Sequence, residues 1–353
     1  MFTISVCMIV KDEEKSISNC LECVKEFADE IIVVDTGSKD NTKKIVKQYT
    51  DKVFDFEWID DFAKARNYSF SFAKCDYIMW LDADDIILKD DIDKIKNLKQ
   101  KNCDADIFMF NYVYSYEKDF TPNFCYFRER LLRRESNFKW KSPIHESIDL
   151  VGKIEKVDIK IYHNKLKENP PERNLKIFRK MQKENYEFDT RQLFYFAREL
   201  FYNSYIDEAI EKFKNVLKRK DIWIENKIEA YLNLSKCYRI NGDNINALKT
   251  LFDSFVFAEI RAEILCEIAS IFKSQNKIKD AIFWYENALK LKPNLTSGGF
   301  INLECYEFIP YVELSCLYFC SDFVIAKDYH EKAKELKPNH QIILNNDKFF
   351  NKK

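Results

Sequence analysis

The feature that most constrains this chain is the alternation in its first hundred residues. TISVCMIV is a continuous apolar run, the pattern of a strand covered on both faces. KSISNCLECVKEFA follows with helical spacing at Ile17, Leu21, Val24 and Phe27. EIIVVD reads as a second buried strand, NTKKIVKQYT as a short helix capped by Asp40 or Asn41, and KVFDFEW as a third strand. FAKARNYSFSFA is helical again, and YIMWLDAD is a fourth strand. Strand and helix alternating through short connections predict a parallel sheet with helices on both faces. Ligands of such sheets gather at the carboxyl ends of the strands, where Asp35, Asp82 and Asp84 fall.

The stretch YIMWLDADD places Asp82, Asp84 and Asp85 directly after an apolar strand. Two aspartates one residue apart on an extended segment point the same way. Their mutual repulsion raises pKa values unless a cation relieves it. Oxygen ligands of this kind suit Mn²⁺ or Mg²⁺, which complete their shells with phosphate oxygens. The other reading makes Asp84 and Asp85 the N-cap of a helix in IILKDDIDKIKNLKQ. Two further features join the acids. In VVDTGSKDNT, Asp35 ends a strand before a turn with Gly37, where its carboxylate can accept from a base N–H or a ribose hydroxyl, or simply form a strand–turn–helix junction. In DDFAKARN, Arg66 sits on a helix with Ala63 and Ala65, suited to phosphate or to a plain surface position.

From about Asp104 to Asn164, DIFMFNYVYSY, FCYFRERLLRR, KWKSPIHESI and KIEKVDIKIYHN read as strands. Pro170 and Pro171 then lead into helical sequence from Glu172. A self-similar unit recurs there: DEAIEKFKNVL, INALKTLFDSF, KDAIFWYENALKLKPN and VIAKDYHEKAKELKPN. Aligning Ala209, Ala247, Ala281 and Ala326 gives steps of 38, 34 and 45 residues, with Gly242 at an inter-helix turn. Small residues at close crossings and a period of about 34 are the tetratricopeptide signature.

The N-terminal half resembles glycosyltransferase family 2, which has the GT-A fold, over about residues 2 to 165. The motifs that carry the resemblance are ISVCMIVKDEE, IIVVDTGSKDNT, FAKARN and LDADD. It implies a Rossmann-like mixed sheet and places Asp12 and Glu13 near the nucleotide, Asp35 with Gly37 at the base or ribose, and Arg66 near the nucleotide. Asp82 and Asp84 take the metal-motif positions around Ala83. It further implies a metal ion, Mn²⁺ or Mg²⁺, a UDP-sugar donor, and inversion at the anomeric carbon. The family's usual acidic pair for the base is not present in its usual form. WKSPIHES stands in the right region, so Glu146 is the expected base or acceptor-orienting group, with His145 near the metal or sugar; both also fit a strand end without chemistry. His163 is the expected third metal ligand, or a structural histidine. Arg130 and Arg133 line the phosphate or acceptor cleft, or are solvated.

The expected architecture is thus a GT-A domain over 1–165, a linker helix region over 166–185, and an all-α tetratricopeptide-like domain over 186–353. That arrangement is similar to bacterial peptide S-glycosyltransferases and to relatives that glycosylate flagellin or lipopolysaccharide precursors. It implies transfer of a hexose or N-acetylhexosamine to a Cys, Ser or Thr of a polypeptide. A lipid-linked or cell-envelope saccharide is the alternative acceptor, and a non-catalytic nucleotide-sugar-binding scaffold is the alternative class. A homodimer through the helical half is a further expectation. The formal net charge of −1 gives no general pull toward nucleic acid or anionic membrane. Eleven scattered cysteines, an odd number, read as reduced thiols even with Cys20 and Cys23 at metal-type spacing. No run approaches about 18 apolar residues and the N-terminus lacks a basic leader, so neither a transmembrane helix nor a signal peptide is expected, and the expected location is the cytoplasm.

Overall fold

The apolar runs become strands because both of their faces have something to cover them. On β1 (Ile4–Val10), Ile4, Val6, Met8 and Val10 pack into one core cluster while Cys7 packs into another. The first cluster includes α1 (Ile17–Val24); the second includes Ala63 and Phe70. The computed structural model describes residues 1–101, 104–166, 170, 172–294, 297–299 and 301–350. These fall into two units, Met1–Tyr186 and Glu187–Lys353.

In the first unit the chain continues through β2 (Glu30–Asp35), α2 (Thr42–Val46), β3 (Val53–Asp55), α3 (Phe62–Phe70), β4 (Tyr77–Leu81), β5 (Asp85–Ile86) and α4 (Lys89–Gln100). Next come β6 (Ile107–Tyr116), β7 (Pro122–Arg133), the two-residue strands β8 (Trp140–Lys141) and β9 (Ser147–Ile148), β10 (Ile154–His163) and α5 (Arg173–Lys183). The main sheet runs β3-β2-β1-β4-β7-β6-β10-β5, and β8 and β9 form a separate hairpin. The first four strands in this order are mutually parallel; β7 enters antiparallel to β4, and β5 lies antiparallel to β10. The sheet is therefore mixed, with helices on both faces.

Its curvature follows from the connectivity. β4 and β5 are four positions apart in the sheet order, yet only residues 82–84 join them. Four strand spacings in a flat sheet are roughly 19 Å, while the chain from Leu81 to Asp85 reaches at most roughly 14 Å. The sheet must curl into a half-barrel, and the curl brings β5 to β10 so that Asp85 pairs with His163. This overturns the helix-cap reading of the acids: α4 begins at Lys89, after Leu88, and Asp85 is a buried strand residue. The expected strand in KWKSPIHESI divides into β8 and β9 around a loop. Residues 166–185, expected as a linker helix region, contain α5, which groups with the first unit; residues 167–169 and Pro171 lie outside the described residues.

The second unit is all helix: α6 (Thr190–Tyr202), α7 (Ile206–Leu217), α8 (Ile224–Ile240), α9 (Asn244–Ser254), α10 (Ala262–Ser274), α11 (Ile278–Ala288), α12 (Phe308–Tyr318), α13 (Phe323–Leu336) and α14 (Gln341–Phe350). Ala209, Ala247, Ala281 and Ala326 lie on α7, α9, α11 and α13, the second helix of each pair, and all are fully buried. A methyl side chain lets paired helices approach closely, which is why the alanines mark the period. The long step before Ala326 reflects the 19-residue connection between α11 and α12, which includes a 3₁₀ turn at Leu303–Tyr306. Gly242 turns α8 into α9 at φ +77°, a conformation glycine adopts without a Cβ penalty. Among the described residues no helix is long and apolar enough to cross a membrane.

Candidate active site

The three acids after Trp80 do three different things. Asp82 accepts from Arg66 Nη2 at 2.8 Å, with about a third of its side chain exposed. Burial would raise its pKa, but Arg66 and Arg130 outweigh that and bring it down to about 2. Asp84 turns its Oδ1 toward His163 Nδ1 at 3.5 Å. Asp85 is fully buried; its Oδ2 accepts from Arg130 Nη1 at 2.9 Å and from the backbone N–H of Asp82 at 3.0 Å. Burial pushes Asp85 up to about 6, with Arg130 partly offsetting it and Asp82 adding to it.

Asp84, Asp85 and His163 can each offer a ligand atom within 4.8 Å of the others. Asp85 Oδ1 and His163 Nδ1 lie 4.0 Å apart, and both are buried without a hydrogen-bond partner. A carboxylate oxygen and an imidazole nitrogen facing each other without a hydrogen bond are costly unless a proton or a cation lies between them. A divalent ion fits that need, and two carboxylates with one imidazole suit Mn²⁺ better than the all-oxygen preference of Mg²⁺. The imidazole is held between Tyr112 and Tyr114, the latter stacked at 5.4 Å and 17°. Around this point four carboxylates (Asp82, Asp84, Asp85 and Glu146) stand against two guanidiniums (Arg66 and Arg130).

Arg66 joins this cluster to the second candidate group. Its Nε donates to Glu146 Oε1 at 2.8 Å, and its guanidinium lies over Trp80 at 4.8 Å and over Trp140 at 5.1 Å. Glu146 is therefore brought to the metal motif through one arginine. His145 goes elsewhere: it takes a left-handed backbone, φ +51°, and its ring lies along Phe178 of α5 at 6.1 Å, outside the Asp84–Asp85–His163 cluster.

At the end of β2, Asp35 Oδ1 accepts from the backbone N–H groups of Gly37 and Ser38, both at 2.9 Å. Gly37 permits that turn at φ +101°. Asp35 Oδ2 is buried without a partner. Asp12 and Glu13 stitch the loop after β1 to the loop after β2. Asp12 accepts from the Lys39 N–H at 2.6 Å, and the Glu13 N–H donates to Thr42 Oγ1 at 2.7 Å. Ala83 is buried between the acids, and the Cys20 thiol packs against the Asp82 carbonyl at 3.5 Å.

Arg133 is a correction. β7 runs against β4, so its later residues sit beside the start of β4, and Arg133 pairs with Tyr77, remote from the acids. It donates to the Ala105 carbonyl at 3.1 Å and faces Asp106. Of the two predicted arginines it is Arg130 that reaches the site, fully buried and stacked at 3.7 Å on Trp80 and 4.4 Å on Tyr112. Sequence reading missed Asp85 as a ligand, because only the β5–β10 pairing reveals it. It also missed Trp80, Trp140 and Asn67; the one available signal was the tryptophan one residue short of the acids.

With this geometry in hand, comparison with known proteins is informative. Residues 5–159 match the profile Glycosyl transferase family 2, and residues 262–295 match a Tetratricopeptide repeat. A TPR repeat-containing protein of Synechococcus elongatus is 33% identical over 150 residues, 42% of this chain and 36% of that one. The SPbeta prophage-derived glycosyltransferase SunS of Bacillus subtilis is 29% identical over 235 residues, 60% of this chain and 52% of that one. The chain thus spans about a third to a half of the length of these relatives. The crystal structure of S. aureus TarS 1-349 is 14% identical at a TM-score of 0.38, covering 82% of this chain and 92% of that chain. The first unit carries a glycosyltransferase family 2 domain of GT-A type, and a tetratricopeptide-like helical unit follows it.

Proposed function

We propose that the family 2 domain transfers a hexose or N-acetylhexosamine from a UDP-sugar to a Cys, Ser or Thr of a polypeptide, inverting the anomeric centre. The observation that carries the reading is the buried, unpartnered pair of Asp85 Oδ1 and His163 Nδ1, beside Asp84 at the end of β4. Asp84, Asp85 and His163 would hold a divalent ion, Mn²⁺ rather than Mg²⁺. When bound, such an ion neutralises charge growing on a departing diphosphate.

The chain's own groups divide the remaining work. Asp35 Oδ2 accepts the N–H of the base, and Oδ1 is held by the turn so that the carboxylate keeps its aim. Glu146 is the base. Arg66 occupies its Oε1, so Oε2 is the oxygen that takes the acceptor proton. Trp80, Trp140 and Tyr112 wall the charged cluster with apolar surface, which strengthens each electrostatic interaction within it. The helical unit provides the surface for a polypeptide acceptor; its repeat match and the SunS and tetratricopeptide relatives support that assignment.

The test is calorimetric titration of UDP in the presence and absence of Mn²⁺, followed by UDP release from UDP-glucose and UDP-N-acetylglucosamine. Mn²⁺-dependent UDP binding and slow donor hydrolysis are expected. A protein that binds no nucleotide with either Mn²⁺ or Mg²⁺ would overturn the reading.

A further inference from the structure

The hairpin that bears Glu146 cannot hold its own shape. β8 and β9 contribute two residues each, too few for an independently stable pair. The loop between them contains Ser142 at φ +73° and His145 at φ +51°, left-handed conformations that neither residue prefers. Glu146 follows the second of these directly, so its direction is imposed from outside.

Helix α3 supplies the constraint at three points. The Phe62 N–H donates to the Pro143 carbonyl at 2.8 Å. Asn67 grips the Trp140 backbone twice: its Nδ2 donates to the Trp140 carbonyl and its Oδ1 accepts from the Trp140 N–H, both at 2.9 Å. Arg66 lies between Trp80 and Trp140 and donates to Glu146. α3 is itself fixed at its start by Asp61, whose side chain accepts from the Lys64 N–H at 2.8 Å.

Accepting Glu146 as the base, we propose that α3 is the arm that positions it, with Arg66 and Asn67 acting as positioning residues and Arg66 tying the base to the metal motif through Asp82. This gives FAKARN a role other than holding the diphosphate. Two of the Arg66 nitrogens serve carboxylates and its plane is filled by two indoles. A guanidinium so occupied is fixed in place.

The experiment uses the full chain with Mn²⁺ and whichever of UDP-glucose or UDP-N-acetylglucosamine the wild type hydrolyses. Asn67→Ala, which touches neither the acids nor Asp35, is expected to lower kcat about tenfold or more with donor KM and UDP affinity unchanged within about twofold. Arg66→Met combined with Glu146→Gln is expected to be no slower than Glu146→Gln alone, because both changes remove the same positioned group. If Arg66→Met fails to fold, the Asn67→Ala and Glu146→Gln pair supplies the same cycle. The proposal is overturned if Asn67→Ala leaves kcat unchanged, or if Arg66→Met weakens UDP binding tenfold and its loss multiplies with that of Glu146→Gln. Failure of the wild type to bind UDP is a different outcome, and it would instead remove the functional reading beneath this one.

Discussion

Replacing Arg130 by methionine tests the electrostatics beneath the acidic cluster. Arg130 and Asp85 are a fully buried pair, 1% and 0% exposed at their side chains, joined at 2.9 Å. Methionine keeps much of the contact with Trp80 and Tyr112 but strands the Asp85 carboxylate, whose Oδ1 already lacks a partner. Breaking one side of such a pair costs about 3–5 kcal/mol. The first unit has 186 residues; at about 2.1 cal/mol/K of unfolding entropy per residue, the midpoint should fall by roughly 8–13 °C. Differential scanning calorimetry in EDTA reads this directly. Adding Asp85→Asn should restore part of the loss, since no stranded charge remains. Saturating Mn²⁺ should raise the midpoint of Arg130→Met more than that of the wild type, because the ion supplies the missing positive charge. If Arg130→Met melts within about 2 °C of the wild type, or the added Asp85→Asn lowers the midpoint further, the account of the cluster is wrong.

Three other outcomes follow from the same geometry. His163→Ala should abolish Mn²⁺-linked stabilisation while shifting the EDTA midpoint by only a few degrees; unchanged Mn²⁺ binding would remove His163 from the site. Mn²⁺ affinity should rise with pH between about 5 and 7.5, because Asp85, pushed up to about 6, must lose its proton to bind. His163, which burial lowers but Asp84 and Asp85 raise more, must lose its proton too. The apo fold runs the other way, since a carboxyl with a raised pKa favours folding below its unfolded value and that contribution is lost as pH climbs through 6. Calorimetry at two pH values checks both signs. In the helical unit, a Cβ on Gly299 would lie 1.7 Å from Glu225 Oε2, a carboxylate held by Arg261 at 2.6 Å from both oxygens. Gly299→Ala should therefore cost about 1–3 kcal/mol, read by urea unfolding.

The legibility of the sequence varied with the range of the interaction. The β1, β2 and β4 strands and the alanine period were readable because burial on two faces, or at a helix crossing, leaves a local pattern. The terminal acids were readable as a cluster for the same reason. Their division of labour was not, because it depends on partners far along the chain: Arg66 lies 16 residues before Asp82, and Glu146 lies 80 residues beyond Arg66. Arg133 was misplaced because RERLLRR offers several arginines, and the antiparallel register alone decides that Arg128 and Arg130, rather than Arg133, reach Trp80. Asp85 looked like the start of a helix because the two-residue strand β5 is too short to leave a periodic signal.

That short strand is also what makes the site. A flat sheet would leave Asp85 beside β4 in the middle of the strand order and His163 three strands away on β10, and the acids after β4 would be a solvated loop. Because residues 82–84 are too short to cross a flat sheet, the curl is obligatory, and the same three residues that force it carry Asp82 and Asp84. Asp82 faces back to Arg66 and the Glu146 hairpin, Asp84 faces His163, and Asp85 is locked beneath by Arg130. The connection that sets the sheet's curvature thus also sets the spacing of the ligands. Sheet closure and metal affinity should therefore be coupled: a bound ion ties β5 to β10 through Asp85 and His163, and slowed amide exchange of Ile86 and Tyr162 on Mn²⁺ addition is the expected sign of it.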